Sequence, residues 1–385
     1  MTCRELPGAG VGPTPDNMNS INNNTELSSH EGTRRQFNGG KAVIKLGIDV
    51  HQDFYVVVSQ EGGSNPKPPQ RFAKEAFLYW AEKLKEKSVG AQIHAVYEAC
   101  GFGFGLQRRL TSLGIECQVV CPQKLDERNK RVKTDGLDAK ALCLRLDRFV
   151  QGNTDALAVV RIPTEQEEQL RAIHRQREQL VRTRKQLEAH GRSLMVNYSI
   201  EPVNKWWKRR AFARLEVPAW MKELLSNSQP LLLEVEEKIR ALTVQLEAAA
   251  GANQPRGFGA LTSVVIDREV GDWHRFNNRR RVGSYTGLCP GEYSSGNTRL
   301  QSCVTKHGNP RLRAALVEAA WRLVRFQPNY RPVVKWRGTL SKNALATGAA
   351  RKKAIVAVAR QLAVDLWRIR TGRLKAEQLG LNINK

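Results

Sequence analysis

The 385-residue sequence predicts a protein of the α/β plus α class, with a mixed-sheet layer first and helices after it. Apolar, strand-like runs alternate with helical segments between residues 41 and 150, which is the pattern of a mixed or parallel sheet. Heptad-like stripes follow in the middle, and long helices with basic faces occupy the last third. We therefore expect a disordered tail over 1–40, an α/β domain over 41–150, a helical coiled-coil region over 151–250 and a mainly helical domain over 251–385.

The α/β domain is predicted from the residue periodicity. Apolar runs predict strands over 43–49, 54–58, 93–97 and 115–120. Apolar residues that recur every three or four positions predict helices over 72–87, 104–113 and 138–150. The first 40 residues are rich in Asn, Gly and Pro and poor in apolar side chains, so we expect them to be disordered.

The middle region carries two stripes of apolar side chains at heptad-like spacing. Their members are Ile173, Leu180, Leu187 and Leu194 in the first helix, and Val235, Ile239, Leu242 and Leu246 in the second. The two helices could pair as an antiparallel hairpin, pack against a second subunit, or be ordinary surface helices. Between them lie Trp206 and Trp207 with three basic residues, a segment compatible with either nucleic-acid contact or a buried anchor.

The charge of the chain indicates its class of partner. The formal net charge is +25, and residues 251–385 hold 25 basic against 7 acidic side chains. Such a field attracts polyanions, so we expect a nucleic acid rather than a merely solubilising surface. No apolar run of about 18 residues is present, which excludes a membrane-spanning helix. Seven scattered cysteines favour the reducing cytoplasm over a disulfide scaffold.

Four acidic residues stand at the ends of predicted elements of the α/β domain. They are Asp49 in the first strand, Glu98 at the end of another strand, and Asp135 and Asp138 at the start of a helix. An oxygen-rich cluster of this kind is what Mg²⁺ requires. The alternative is that Asp135 caps a helix and Glu98 is a solvated strand end. Asp49 favours the metal, because an acid inside an apolar strand is costly unless it is paired or metal-bound.

These residues lie in recognisable motifs. The runs Gly47-Ile48-Asp49-Val50, Tyr97-Glu98-Ala99 and 133–139 resemble the DEDD motif of a RuvC/RNase H-like transposase domain. The C-terminal runs 285–290, 293–296 and 305–313 resemble the second domain of the same proteins. The sequence is thus similar to the insertion-sequence transposases with a DEDD domain and a C-terminal serine domain, the bridge-RNA-guided recombinases. The likeness covers roughly residues 43–150 and 255–330.

The resemblance implies a recombinase in which the four acids hold Mg²⁺ and a serine attacks a DNA phosphodiester. The family pattern places that serine directly before a glycine, which favours Ser295 over Ser294. The product would be a 5′-phosphoserine link, and the metal held by the acids would serve the serine, since no Ser-His-Asp arrangement is visible near it. The resemblance also implies phosphate contacts from four basic residues, namely Arg299, Lys306, Arg311 and Arg313.

The expected partners are donor and target double-stranded DNA, a structured guide RNA and further copies of the chain, as a dimer of dimers. The expected location is the bacterial cytoplasm, at the nucleoid during the reaction. Two alternatives stay open. One is a metal-dependent nuclease of the junction-resolvase type that forms no covalent intermediate. The other is a non-catalytic nucleic-acid-binding protein whose acid cluster is degenerate.

Overall fold

A computed structural model describes residues 42–122, 134–251, 254–296, 298–341 and 343–383. The predicted tail over 1–40 and Lys133 of the acid motif lie outside these described residues. The chain divides into two compact units, one up to Arg161 and one from Ile162 onward. The helical middle and the basic C-terminal third belong to the same unit, and the domain limits at 150 and 250 stay predictions.

The first unit is built on a five-stranded mixed sheet. Its strands are β1 (Val43–Val50), β2 (Phe54–Glu61), β3 (Gln70–Ala73), β4 (Gln92–Glu98) and β5 (Glu116–Val120), in the order β3-β2-β1-β4-β5. β1 runs antiparallel to β2 and parallel to β4, which is itself parallel to β5. The four predicted strands and the mixed sheet are confirmed. β3 was not predicted, and the helix expected from residue 72 begins two residues later.

Among the described residues of this unit, three α-helices are present: α1 (Lys74–Lys87), α2 (Gly105–Ser112) and α3 (Asp135–Val150). α3 packs on β1 so closely that a Cβ added at Gly47 would lie 2.2 Å from the carbonyl oxygen of Ala139. Leu142 and Leu146 of α3 are buried against Val96 and other apolar side chains of the sheet. Gly47 therefore allows the start of α3 to sit beside the end of β1.

The second unit begins with two long helices and a short one, namely α4 (Glu165–Asn197), α5 (Arg209–Ala213) and α6 (Ala219–Ala248). A capping box between Thr164 and Glu167 starts α4. The two long helices pack antiparallel: Arg177 Nε donates to Thr243 Oγ1 over 2.6 Å, and Arg184 pairs with Glu236 further along. Of the three arrangements considered for these helices, the structure has the antiparallel hairpin within one chain. Whether the two helices supercoil around each other stays a prediction.

The adjacent tryptophans are structural. Trp206 and Trp207 are buried, and Trp206 Nε1 donates to the carbonyl oxygen of Glu188 over 3.1 Å. A Cβ added at Gly191 would lie 2.4 Å from the indole of Trp206, so the glycine makes room for the ring. Of the two interpretations of this segment, the structure therefore supports the buried anchor.

The rest of this unit is mainly helical, as predicted, with one hairpin. It contains α7 (Ala260–Val270), α8 (Arg279–Thr286), β6 (Pro290–Ser295), β7 (Thr298–Val304), α9 (Pro310–Phe326), α10 (Arg331–Lys335), α11 (Arg337–Leu340) and α12 (Gly348–Arg370). Its core is formed mainly by α7, α9 and α12, around Leu316, Leu323 and Leu362. Within the described ranges, no helix is both long and apolar enough to cross a bilayer.

Candidate active-site residues

The first candidate site lies at the carboxyl end of β1. Ile48 of β1 lies opposite Tyr97 of β4, so Asp49 and Glu98 come next on two neighbouring parallel strands. The register therefore brings two of the four predicted acids to the same edge of the sheet. Because α3 packs on β1 through Gly47, it places Asp135 and Asp138 in its first turn near the same edge.

Asp49, Asp135 and a histidine that was not predicted, His51, form a cluster. The Nε2 atom of His51 lies 3.1 Å from Asp49 Oδ2 and 3.4 Å from Asp135 Oδ2. One possible ligand atom from each of the three residues lies within 4.8 Å of the others. Thr134 occupies the N-cap position of α3, and Asp135 is the first residue of the helix. The structure therefore does not support the alternative in which Asp135 caps the helix.

The electrostatics of the cluster centre on Asp49. Burial raises the pKa of Asp49 above its ordinary value, the hydrogen bond and charge of His51 lower it, and the charges of Asp135 and Asp138 raise it further. A raised carboxyl pKa means that the anion is poorly solvated, a cost that a bound cation would relieve. Glu98 lies outside the close group of three, and its Oε1 atom is shielded from solvent. The structure thus brings Asp49 and Asp135 together, with Asp138 near enough to affect Asp49.

The predicted nucleophile lies on the hairpin of β6 and β7. Ser295 pairs with Thr298 at the turn end, Ser294 pairs with Arg299, and both serines are exposed. Ser294 Oγ donates to Glu292 Oε1 over 2.9 Å. Gly296 has a φ of +55°, a left-handed conformation that favours glycine at this position of the turn. Side chains alternate along a strand, so Ser294 and Ser295 face opposite sides of the hairpin.

The base of this hairpin continues as a ladder of backbone hydrogen bonds. Thr305 N donates to Cys289 O, Lys306 N to Gly287 O and Asn309 N to Tyr285 O, over 2.9 to 3.1 Å. Gly287 adopts a φ of +64° where a Cβ would also collide with the Arg313 guanidinium. The segment that carries Ser295 is therefore fixed at its base by the chain before and after it.

A buried carboxylate, Glu269 on α7, supports that base. It receives hydrogen bonds from His174 Nε2 (2.7 Å), Arg175 (2.9 and 3.0 Å) and Asn309 Nδ2 (2.7 Å), and the Tyr285 hydroxyl donates to its carbonyl oxygen. Burial by itself raises the pKa of Glu269, but these hydrogen bonds lower it well below its usual range. The sequence did not indicate this network, because His174 and Glu269 are 95 positions apart.

Two of the four predicted phosphate-binding residues, Arg311 and Arg313, have partners within the chain. Arg311 Nε lies 2.6 Å from Glu178 Oε2, and Arg313 Nη1 donates to the carbonyl oxygens of Thr286 and Lys306. Lys306 adopts a φ of +56° in the loop after β7. The side chain of Arg299 lies outside the described part of the structure. Phosphate binding by these four residues stays a prediction.

Comparison with known proteins defines the class of this chain. The family model described as "Transposase IS116/IS110/IS902 family" matches residues 253–335, the part that includes the hairpin. The Sinorhizobium fredii protein named as transposase y4rJ is 30% identical over 305 residues, covering 71% of this chain and 76% of that protein. The transposase for insertion sequence element IS1111A of Coxiella burnetii is 27% identical over 349 residues, covering 86% of this chain and 90% of the relative.

A third relative is the transposase for insertion sequence element IS1328 of Yersinia enterocolitica. It is 25% identical over 289 residues, which cover 72% of this chain and 83% of that protein. The chain belongs to the IS116/IS110/IS902 family of transposases. Transposases catalyse DNA strand transfer, which is consistent with the nucleic-acid partner that the basic charge of the chain predicted.

Proposed function

We propose that this transposase is an RNA-guided DNA recombinase that uses an acid cluster with Mg²⁺ and a serine nucleophile. The observation that carries the proposal is the convergence of Asp49 and Asp135 at the carboxyl end of β1, beside Glu98 and Asp138. The strand order β3-β2-β1-β4-β5, with only the β1–β4 and β4–β5 pairs parallel, supports a RuvC/RNase H-like identity for the first unit.

The residues of the cluster fit a divalent cation. Ligands that sit side by side around a small octahedral ion with bonds of about 2.1 Å are about 3 Å apart. Within the cluster, His51 Nε2 lies at separations of this size from Asp49 Oδ2 (3.1 Å) and from Asp135 Oδ2 (3.4 Å), and the ligand atoms of the two carboxylates lie within 4.8 Å of each other. When bound, Mg²⁺ would supply Lewis-acid stabilisation of phosphate charge. Asp49, Glu98, Asp135 and Asp138 are the residues proposed to hold it.

The proposed chemical step is a transesterification at a DNA phosphodiester. The Oγ of Ser295 bonds to phosphorus as the bond from phosphorus to the 3′ oxygen breaks. The hydroxyl proton leaves Oγ, and the 3′ oxygen takes up a proton, so charge and atoms balance. The product is a 5′-phosphoserine link and a free 3′ hydroxyl. Attack by another strand's 3′ hydroxyl reverses the step and restores the serine, with no external energy source.

Ser294 is the competing nucleophile, and one contact favours it. A carboxylate that accepts a hydrogen bond from a serine hydroxyl can act as its general base, and Glu292 accepts such a bond from Ser294. The family pattern of a serine directly before glycine favours Ser295. We retain Ser295 as the proposal because its hydroxyl lies beside the turn, at the exposed tip of the hairpin.

The experiment that tests the nucleophile is mapping of the protein–DNA adduct by peptide mass spectrometry. Ser295→Ala is expected to keep DNA and RNA binding and to lose both the adduct and strand exchange. Ser294→Ala, the matched control one residue away, is expected to keep substantial activity. An adduct on Ser294 or on Tyr293 would contradict the choice of Ser295. Cleavage with no adduct would instead support a metal-dependent nuclease.

The acid cluster is tested separately. Asp49→Ala, Glu98→Ala and Asp138→Ala are each expected to abolish strand exchange in Mg²⁺ while the protein remains folded, because each removes a proposed ligand. Full activity of the Asp49→Ala protein in Mg²⁺ would refute the metal assignment. If the wild-type protein binds DNA without any cleavage or strand exchange, the non-catalytic alternative is correct.

The proposed partners are donor and target DNA, a structured guide RNA and further copies of the chain. Arg299, Lys306, Arg311 and Arg313 are proposed as phosphate contacts, and such contacts make the affinity fall steeply with salt. Sequencing of RNA that co-purifies with the protein tests the guide. Equal affinity for DNA with and without that RNA would refute guidance. A strict monomer, by mass measurement on DNA and RNA together, would refute the dimer of dimers.

A further inference from the structure

The orientation of His51 is fixed by its neighbours. Its backbone N–H donates to the carbonyl oxygen of Phe54 over 3.0 Å, which closes the turn between β1 and β2. Its ring stacks on that of Phe54, with centroids 4.5 Å apart and planes 21° apart. The guanidinium of Arg71 lies 3.6 Å from the centroid of the Phe54 ring. The imidazole is therefore held by both its backbone and its ring face.

The fixed ring directs one nitrogen at the acids. Nε2 lies 3.1 Å from Asp49 Oδ2 and 3.4 Å from Asp135 Oδ2, so all three atoms surround the same small space. The His51 side chain is only 32% exposed, although it lies in a turn. Three possible ligand atoms, two from residues 49 and 51 and one from the first turn of α3, lie within 4.8 Å of one another and can form one face of a coordination sphere.

We infer that His51 Nε2 is a metal ligand, and that it makes this site bind first-row transition-metal ions more tightly than Mg²⁺. The inference rests on the proposed function, in which the acids hold a divalent cation. Mg²⁺ is a hard ion that takes oxygen ligands. Imidazole nitrogen suits transition metals, whose affinities rise from Mn²⁺ to Cu²⁺. An imidazole between two carboxylates therefore favours Mn²⁺ over Mg²⁺, and later members of the series still more.

A second explanation for the same contacts is that His51 is a counter-charge. In that case a protonated imidazole balances the carboxylates and must be displaced by an incoming cation. The two explanations predict opposite effects of removing the ring. Loss of a ligand weakens Mn²⁺ binding selectively, whereas loss of a competing charge strengthens the binding of Mn²⁺ and Mg²⁺ alike.

The test is calorimetric titration of the full chain with Mn²⁺ and with Mg²⁺. His51→Ala is expected to raise the Kd for Mn²⁺ by about tenfold or more, a loss typical of disturbed metal sites, and to change the Kd for Mg²⁺ much less. His190→Ala, which removes an exposed histidine from α4, is the matched control and should change neither. An unchanged or lower Kd for Mn²⁺ in His51→Ala would overturn the inference.

A spectroscopic measurement on the wild-type protein keeps the test independent of whether the variant folds. Pulsed electron paramagnetic resonance of bound Mn²⁺ should show coupling to one imidazole nitrogen, and His51→Gln should lack it. Bound Mn²⁺ without nitrogen coupling would refute the ligand and leave the proposed function intact. A wild-type protein that binds neither metal would refute the metal part of the proposed function as well.

Discussion

Replacement of Gly47 by alanine tests whether the seating of α3 on β1 builds the acid cluster. The added Cβ would lie 2.2 Å from Ala139 O, 2.5 Å from Cys143 N and 2.8 Å from Cys143 Cβ. Two of these atoms are backbone, so a side-chain rotation cannot relieve the collision. Restoring an ordinary contact of 3.4 Å to Ala139 O requires α3 and β1 to separate by about 1.2 Å.

That separation has a cost in stability and a cost at the site. Overpacking of a close-packed core typically destabilises by 1–3 kcal/mol, and we expect about 2–3 kcal/mol here because the obstruction is backbone. The corresponding fall in Tm is roughly 5–10 °C. Because Asp135 and Asp138 move with α3, the Kd for Mn²⁺ should also rise.

The assay is thermal unfolding followed by circular dichroism, with Mn²⁺ titration of the folded protein below its transition. Gly63→Ala is the matched control, since a Cβ at Gly63 meets nothing within 4 Å and this exposed glycine also lies in the first unit. Gly63→Ala should change Tm by no more than about 2 °C. A Gly47→Ala protein with the wild-type Tm and the wild-type Kd for Mn²⁺ would show that α3 does not contact β1 as described.

The remaining predictions concern the second unit and its charge. Glu269→Ala should lower the free energy of unfolding by about 3–5 kcal/mol, measured by urea denaturation, because it leaves His174 and Arg175 without their buried partner. The lowered pKa of Glu269 stabilises the wild-type fold above the ordinary value of 4.5, so stability should fall as the pH drops from there toward the folded-state pKa; Glu269→Gln should lack this contribution. Gly191→Ala should lower Tm, because the new Cβ would lie 2.4 Å from the Trp206 ring. The logarithm of DNA affinity should fall linearly with the logarithm of salt concentration, measured by fluorescence anisotropy, and a flat profile would contradict phosphate contacts.

Much of the first unit could be predicted because its core strands carry a continuous apolar pattern. Ile44, Leu46 and Ile48 are buried in β1, and Val56, Val57 and Val58 in β2, so burial and sequence pattern agree. β3 was not predicted because it is only four residues long and none of its residues is buried. The hairpin of β6 and β7 was not predicted for a related reason: β6 has no buried residue, so its sequence lacks an alternating apolar pattern.

The candidate site was partly predictable. Asp49 stood out as an acid inside an apolar strand, and Asp135 and Asp138 were expected at the start of a helix. That helix was predicted to begin at Asp138, but it begins at Asp135, so both acids lie in its first turn. His51 gave no such signal, because a histidine in a turn resembles any other polar turn residue. Its significance depends on the approach of α3, which a local pattern does not reveal. The partners of Arg311 and Arg313 could not be predicted either, because these contacts also depend on how the chain folds rather than on a local sequence pattern.

The contact between Gly191 and Trp206 also constrains how the sequence of this family can diverge. A side chain at position 191 is compatible with the fold only if position 206 holds something smaller than an indole, since the two occupy the same space between α4 and the segment before α5. We expect a mutation at either position alone to destabilise the fold, and a change at one position to become acceptable once the other has changed. Across relatives that keep this helical pair, the two positions should therefore change together, although they are 15 positions apart in the sequence.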